Sequence, residues 1–152
     1  MVVKSKQFIY KNELKWTIEK KGLLTSEGKP TLEVACPPDF GGHYGIWAPE
    51  DLLVASVNIC IMTTFLYYAK KQKLKLLSYQ SYAEGTVEIV EKKLLFSTIG
   101  VGPKILVTSN EDIKEAKRVL RFSERNCLVS NSIKTKVILN PEIKVNSQKS
   151  NN

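Results

Sequence analysis

A single histidine, His43, and three cysteines, Cys36, Cys60 and Cys127, are the only imidazole and thiol groups in 152 residues. That scarcity argues against a zinc site, which needs several such ligands at paired spacings. Three cysteines also fall short of the dense, even set of a secreted disulfide scaffold. The opening MVVKSKQFIYK has no apolar core of the kind a signal peptide carries, so the expected compartment is the cytoplasm. Acidic residues are the minority charge. The net charge of +8 comes mainly from lysine, in short groups such as Lys20-Lys21, Lys70-Lys71 and Lys92-Lys93. Such a balance suits an anionic partner. It is equally met by lysines that solvate the outer faces of helices and strands. The aromatic, glycine and basic alternation of an RNA-binding sheet is missing, so neither nucleic acid nor a metal is expected as a partner.

What the chain does have is one long apolar stretch, Leu52 to Ala69, broken by Asn58, Thr63, Thr64, Tyr67 and Tyr68. These polar breaks and the lysines that follow fit a buried helix of a soluble protein better than a membrane span. Pro49 suits its first position, and Glu50 and Asp51 place two acids at the positive end of its dipole. The predicted helix runs from Pro49 to about Gln72, apolar on most faces and therefore central.

Around it the pattern is mainly that of strands. Phe8, Tyr10, Leu14, Trp16 and Ile18 alternate with polar residues, as in a half-buried strand. TSEGKP reads as a turn and Thr31 to Cys36 as a short strand. Leu77, Tyr79, Ser81 and Ala83, then Val87 and Ile89, alternate as strands, a hairpin turn is expected at 91–93, and Leu94 to Ser109 predicts another strand with Ile99, Val101, Ile105 and Val107 on one face. Asn110 is the expected cap of a second helix carrying Ile113, Ala116, Val119 and Leu120 at helical spacing. A last helical turn is expected over Ser130 to Ile133. A final strand spans Thr135 to Val145, with Pro141 marking an edge or a bend. This order of elements indicates an α+β domain with an antiparallel sheet.

Taken singly, Cys60 in an apolar helix reads as a small core residue, and Cys127 at a helix end is ambiguous. Their contexts carry more. GGHYGIWAPEDLLVASVNICIMTTF, with a cysteine ten residues after Glu50, and NCLVSNSIKTKV, with its cysteine-x-x-serine, together resemble the OsmC/Ohr family. The two cysteines lie 67 residues apart in the family's order. The resemblance implies an OsmC-like fold over residues 1–145, with antiparallel sheets wrapped around a long central helix in an intertwined homodimer. Residues 146–152 would be a polar, disordered tail.

It further implies a thiol-dependent peroxidase acting on organic hydroperoxides. Cys60 would be the peroxidatic and Cys127 the resolving cysteine, with an external dithiol of the lipoyl type as reductant and no bound cofactor. Glu50 matches a family glutamate that pairs with an arginine. At the arginine's place this chain offers only Lys20 or Lys21, which supply charge without the planar fork. Leu128 stands where family members often carry proline, a change that bears on how Cys127 swings toward Cys60. These departures favour an alternative: an OsmC-like protein without peroxidase activity that binds a small apolar or thiol-reactive ligand at the dimer interface.

Ten residues along one helix span about 15 Å, so Glu50 does not reach the Cys60 of its own chain. If both serve one site, Glu50 comes from a second copy. Trp16, Tyr44, Trp47 and Phe65 could wall an apolar pocket over Cys60, although core or interface packing accounts for them as well. Ser130 and Asn131 are expected to hold the turn through backbone hydrogen bonds. Cys36 reads as a spare or core thiol, and His43 as a surface or hydrogen-bonding residue.

Overall fold

The computed structural model describes residues 6–146; all of the expected tail 146–152 except Asn146 lies outside the described residues. The chain falls into two compact units, Met1–Leu52 and Leu53–Asn152.

In the first unit, β1 (Glu13–Trp16), β2 (Lys21–Thr25) and β3 (Leu32–Ala35) form an antiparallel sheet in that order. The SEGK segment turns between β2 and β3, with Gly28 at φ 71° supplying the left-handed residue. The first strand is shorter than the alternation of Phe8 to Ile18 predicts. Its pairing begins at Glu13, opposite Thr25. Beyond Thr25 the partner strand has already turned, so residues 8–12 have no ladder to join in this sheet. Nor is the strand half-buried: Phe8, Tyr10, Leu14, Trp16 and Ile18 all stand exposed. After β3 a 3-10 turn at Pro38–Phe40 leads into the glycine-rich loop. There the backbone doubles back closely: the His43 N–H donates to the Cys36 carbonyl. A Cβ on Gly42 would lie 1.7 Å from that carbonyl oxygen, so only glycine fits.

Helix α1 (Pro49–Lys71) starts where Pro49 predicts it. The Asp51 carboxylate accepts from the Ala48 N–H at 2.9 Å, satisfying a donor at the helix start. In the second unit α1 packs on a mixed sheet. β4 (Leu76–Val90) and β5 (Lys93–Val107) make a long antiparallel hairpin. Its two-residue turn puts Glu91 and Lys92 at φ 49° and 65°, the doubly left-handed geometry that matches strand twist. Gly85 lets helix and strand approach, because a Cβ there would sit 2.6 Å from Val54 and Phe96.

Then α2 (Asn110–Asn126) and the short α3 (Leu128–Asn131) return the chain, so that β6 (Lys136–Leu139) and β7 (Glu142–Val145) both run parallel to β5. The purely antiparallel sheet expected from the sequence is thereby corrected. A helical crossover brings the chain back to run in its original direction. Pro141, which lacks an N–H, separates β6 from β7 instead of lying within one strand.

Val57, Ile61, Phe65 and Ala69 of α1 pack with Ile99, Val101, Ile105 and Val107 of β5 and with Ala116, Val119 and Leu120 of α2. The four β5 residues share one buried face, as predicted. Helix α1 is less enclosed than its composition suggests. It buries that one stripe, while Ile59, Leu66 and Tyr67 face outward. By length and composition alone it could also cross a membrane, with a mean hydropathy of 1.7. The α2 cap is Ser109, not Asn110: the Ser109 Oγ accepts from the Asp112 N–H at 3.2 Å. The last helical turn comes two residues earlier than expected.

Candidate functional site

The two cysteines named from their sequence contexts meet within the second unit. Cys60 sits midway along α1, with part of its surface in solvent, and Cys127 is completely buried; both are free thiols. Cys127 occupies the junction of two helices. It ends α2 and precedes the first residue of α3 in an extended conformation (φ −69°, ψ 112°). This kink aims the first amides of α3 and the Cys127 side chain at the sulfur of Cys60. Burial pushes the Cys60 thiol up. Four donors outweigh it and hold the thiol below its ordinary value: the Cys127 thiol, the Val129 N–H, the Thr64 hydroxyl and the Leu128 N–H. Thr64 lies one helical turn along from Cys60, with its oxygen 4.0 Å from the sulfur.

The partner thiol is shifted the other way. Burial raises Cys127, and its hydrogen bond to Cys60 raises it further. Cys60 is thus the member of the pair that ionises first, and Cys127 keeps its proton as a donor. Ser130 stands behind Cys127 and donates its hydroxyl to that sulfur at 3.1 Å. Ser130 thus holds from one side the thiol that influences Cys60 on the other.

The expectation that Ser130 would serve only the backbone is corrected, since its hydroxyl turns to the sulfur. Asn131 does donate to a backbone carbonyl, that of Arg125, at 3.0 Å. The roles of Ser130 and Thr64 toward sulfur were missed in the sequence. The available signals were their spacings, three residues after Cys127 and four after Cys60, which put each pair on one helical face.

Glu50, Lys20 and Lys21 belong to the first unit, where they line one cavity of about 590 Å³ with Trp16 and Cys36. One carboxylate oxygen of Glu50 is buried there without a hydrogen-bond partner. The ammonium of Lys20 donates instead to the Phe40 carbonyl at 2.8 Å. The chain's only arginines are Arg118, Arg121 and Arg125, all on α2. Cys36 contacts the Phe40 carbonyl at 3.6 Å, and His43 lies 3.3 Å from the Glu19 carboxylate. The four aromatic residues are divided between the two units. Phe65 is completely buried against Tyr79 in the second unit, whereas Trp16, Tyr44 and Trp47 are exposed residues of the first.

Known proteins share this arrangement of elements. A family model described as OsmC-like protein matches residues 42–142, well over half of the chain. YmaD, an uncharacterised protein of Bacillus subtilis (strain 168), is 23% identical over 132 residues, which cover 85% of this chain and 83% of YmaD. An OsmC-like protein of unknown function from Vibrio cholerae superposes with a TM-score of 0.83 at 18% identity, over 90% of this chain and all of that one. An organic hydroperoxide resistance protein OsmC from Legionella pneumophila superposes with a TM-score of 0.65 at 25% identity, over 91% of this chain and 98% of its own. With its mixed sheet, its long helix and its match over residues 42–142, the chain belongs to the OsmC-like family.

Proposed function

We propose that the protein is a thiol-dependent peroxidase that reduces organic hydroperoxides. The observation that carries this reading is Cys60, a half-buried residue whose thiol is held low by the Cys127 thiol and the amides of Val129 and Leu128. The thiolate is the reactive form of cysteine, and these donors favour it. Cys60 attacks the outer oxygen of ROOH, the O–O bond breaks, and RO⁻ takes a proton to leave as the alcohol. The Cys60 sulfenic acid then condenses with the Cys127 thiol, forming the S–S bond and releasing water. An external dithiol, of the lipoyl type in the family's pattern, returns both thiols and becomes a disulfide itself. The name of the Legionella pneumophila relative, organic hydroperoxide resistance protein, agrees with this substrate class.

In this reading the working form is a cytoplasmic homodimer of a single domain spanning 1–145. A second copy covers the outward face of α1 and brings its Glu50 to the thiol pair, with Lys20 or Lys21 supplying charge where the family has arginine. Neither nucleic acid nor a membrane is a partner.

One observation favours a second reading, an OsmC-like ligand-binding protein without peroxidase activity. Glu50 and Lys20 line a 590 Å³ cavity with Leu14, Trp16 and Leu52, and Lys20 is engaged by the Phe40 carbonyl, so the cavity has room and apolar surface for a small guest. The readings separate in one experiment. Reduced protein receives one equivalent of cumene hydroperoxide, beside a Cys60→Ser control, and is read by intact mass and peptide mapping. The peroxidase loses two hydrogens within seconds, mapped to a Cys60–Cys127 bridge that the control lacks. Free thiols after this treatment would leave the ligand-binding reading in its place.

A further inference from the structure

The cycle proposed above ends with a disulfide, and the surroundings of its two sulfurs are unequal. Cys60 keeps part of its surface in solvent and Cys127 has none. A thiolate attacks a disulfide along the S–S axis, from behind the sulfur it joins, so access selects the sulfur attacked. We infer that the reductant attacks Cys60, that Cys127 departs as a thiolate, and that Ser130 stabilises this leaving group through the hydroxyl it directs at the Cys127 sulfur.

The step balances. A dithiol reductant, ionised at one sulfur, bonds to Cys60, the Cys60–Cys127 bond breaks, and the electron pair goes to Cys127. The second thiol of the reductant then displaces Cys60, leaving the reductant as a disulfide and both protein sulfurs reduced. The Cys127 thiolate takes up the proton released.

A buried thiolate is costly without donors. Ser130 supplies two, its hydroxyl at 3.1 Å and its backbone N–H. The influences that hold Cys127 high in the reduced pair include the Cys60 sulfur beside it. Once Cys60 is bonded to the reductant it carries no charge, and that part of the opposition disappears. Thiol acidity in the reduced pair would instead make Cys60 the better leaving group and direct attack to Cys127. Burial of Cys127 closes that route. The sequence pattern cysteine-x-x-serine thus acquires a physical reason: three residues along, the serine reaches back over the cysteine it serves.

The inference depends on the peroxidatic reading only in that a Cys60–Cys127 disulfide is the state to be reduced, and its test does not use peroxide. The disulfide is made with diamide. The oxidised protein is exposed briefly to a monothiol, N-acetylcysteine, and quenched with N-ethylmaleimide. Peptide mapping then shows which cysteine carries N-acetylcysteine and which carries maleimide. N-acetylcysteine on Cys60 with maleimide on Cys127 is the expected result. The reverse pattern, an even mixture, or no disulfide with diamide overturns the inference.

Ser130→Ala and Ser130→Thr give the second measurement, the rate of disulfide reduction by dithiothreitol as a function of pH. The alanine variant should be reduced roughly ten- to a hundredfold more slowly, the effect of one hydrogen bond to a charged group. Threonine, which keeps the hydroxyl, should restore most of the rate. Equal loss in both variants would mean that Ser130 only shapes the turn, and would remove it from the step.

Discussion

Leu128 shows how much one side-chain identity can change through the backbone it brings. Where family members often carry proline, this chain has an amide hydrogen, and that N–H is one of the donors to the Cys60 sulfur. Leu128 is the first residue of α3, a position proline tolerates well. Leu128→Pro therefore deletes the donor with little cost to the fold. The variant should raise the pH at which Cys60 becomes reactive toward iodoacetamide, and slow its alkylation at neutral pH roughly three- to tenfold. An unchanged pH profile would show that the Leu128 amide contributes nothing. The sign also extends to stability. Because the fold holds Cys60 below its unfolded value, the associated stability is complete above the unfolded thiol's range. It is lost as pH falls through the depressed folded value.

At this scale the thiol pair was legible and its surroundings were not. Cys60 and Cys127 stood out because each sits in a recognisable run of residues. The direction of the Ser130 hydroxyl depends on a rotamer and on where α2 stops, and neither is written locally.

Among elements, α2 illustrates where sequence reading loses resolution. Ser109 and Asn110 are both good caps, and pattern alone does not choose between them. The end of β5 decides it, since Ser109 still has extended geometry, φ −144° and ψ 166°. Its hydroxyl accepts from the Asp112 N–H and donates to the Asp112 carboxylate, as Thr108 also does. These hydroxyls, Ser109 first and Thr108 second, hold the Asp112 carboxyl below its usual range. Ser109→Ala should cost about 1 kcal/mol by urea unfolding at neutral pH. Since Asp112 stabilises the fold only while ionised, the penalty should shrink as pH falls through its depressed folded value. Asn110→Ala should cost much less, and the reverse ranking would restore Asn110 as the cap.

The parallel course of β6 and β7 was likewise hidden. Strand direction depends on which side of the sheet the preceding helices return to. Residues such as Val137 and Ile143 alternate in the same way whichever direction they run.

For the whole molecule, the telling feature is apolar surface left facing outward. Ile59, Leu66 and Tyr67 on α1, and Phe8, Tyr10, Trp16 and Ile18 on the N-terminal segment, are all exposed in one chain. The alternation of Phe8 to Ile18 predicts a half-buried strand. A period-two pattern records that one face expects a cover; it does not record which chain supplies it. Native mass spectrometry at micromolar concentration should therefore give twice the 17.2 kDa chain mass. Leu66→Glu, on the outward face of α1, should shift the population toward monomer while circular dichroism stays unchanged. A monomer at every concentration for the parent chain would dispose of the homodimer, and with it the placement of Glu50 beside a partner's thiols.

The contact of Cys60 with Cys127 has a consequence for the unfolded chain. A covalent bond there would tie together two points 67 residues apart, enclosing half of α1, the whole β4–β5 hairpin and α2 in one closed loop. In the chain-entropy account such a loop removes about 4 kcal/mol worth of freedom from the unfolded ensemble. A catalytic cycle through that bond would alternate between a tethered and an untethered polymer, and resistance to unfolding would rise and fall with each peroxide consumed. The most durable form would be the one waiting for reductant.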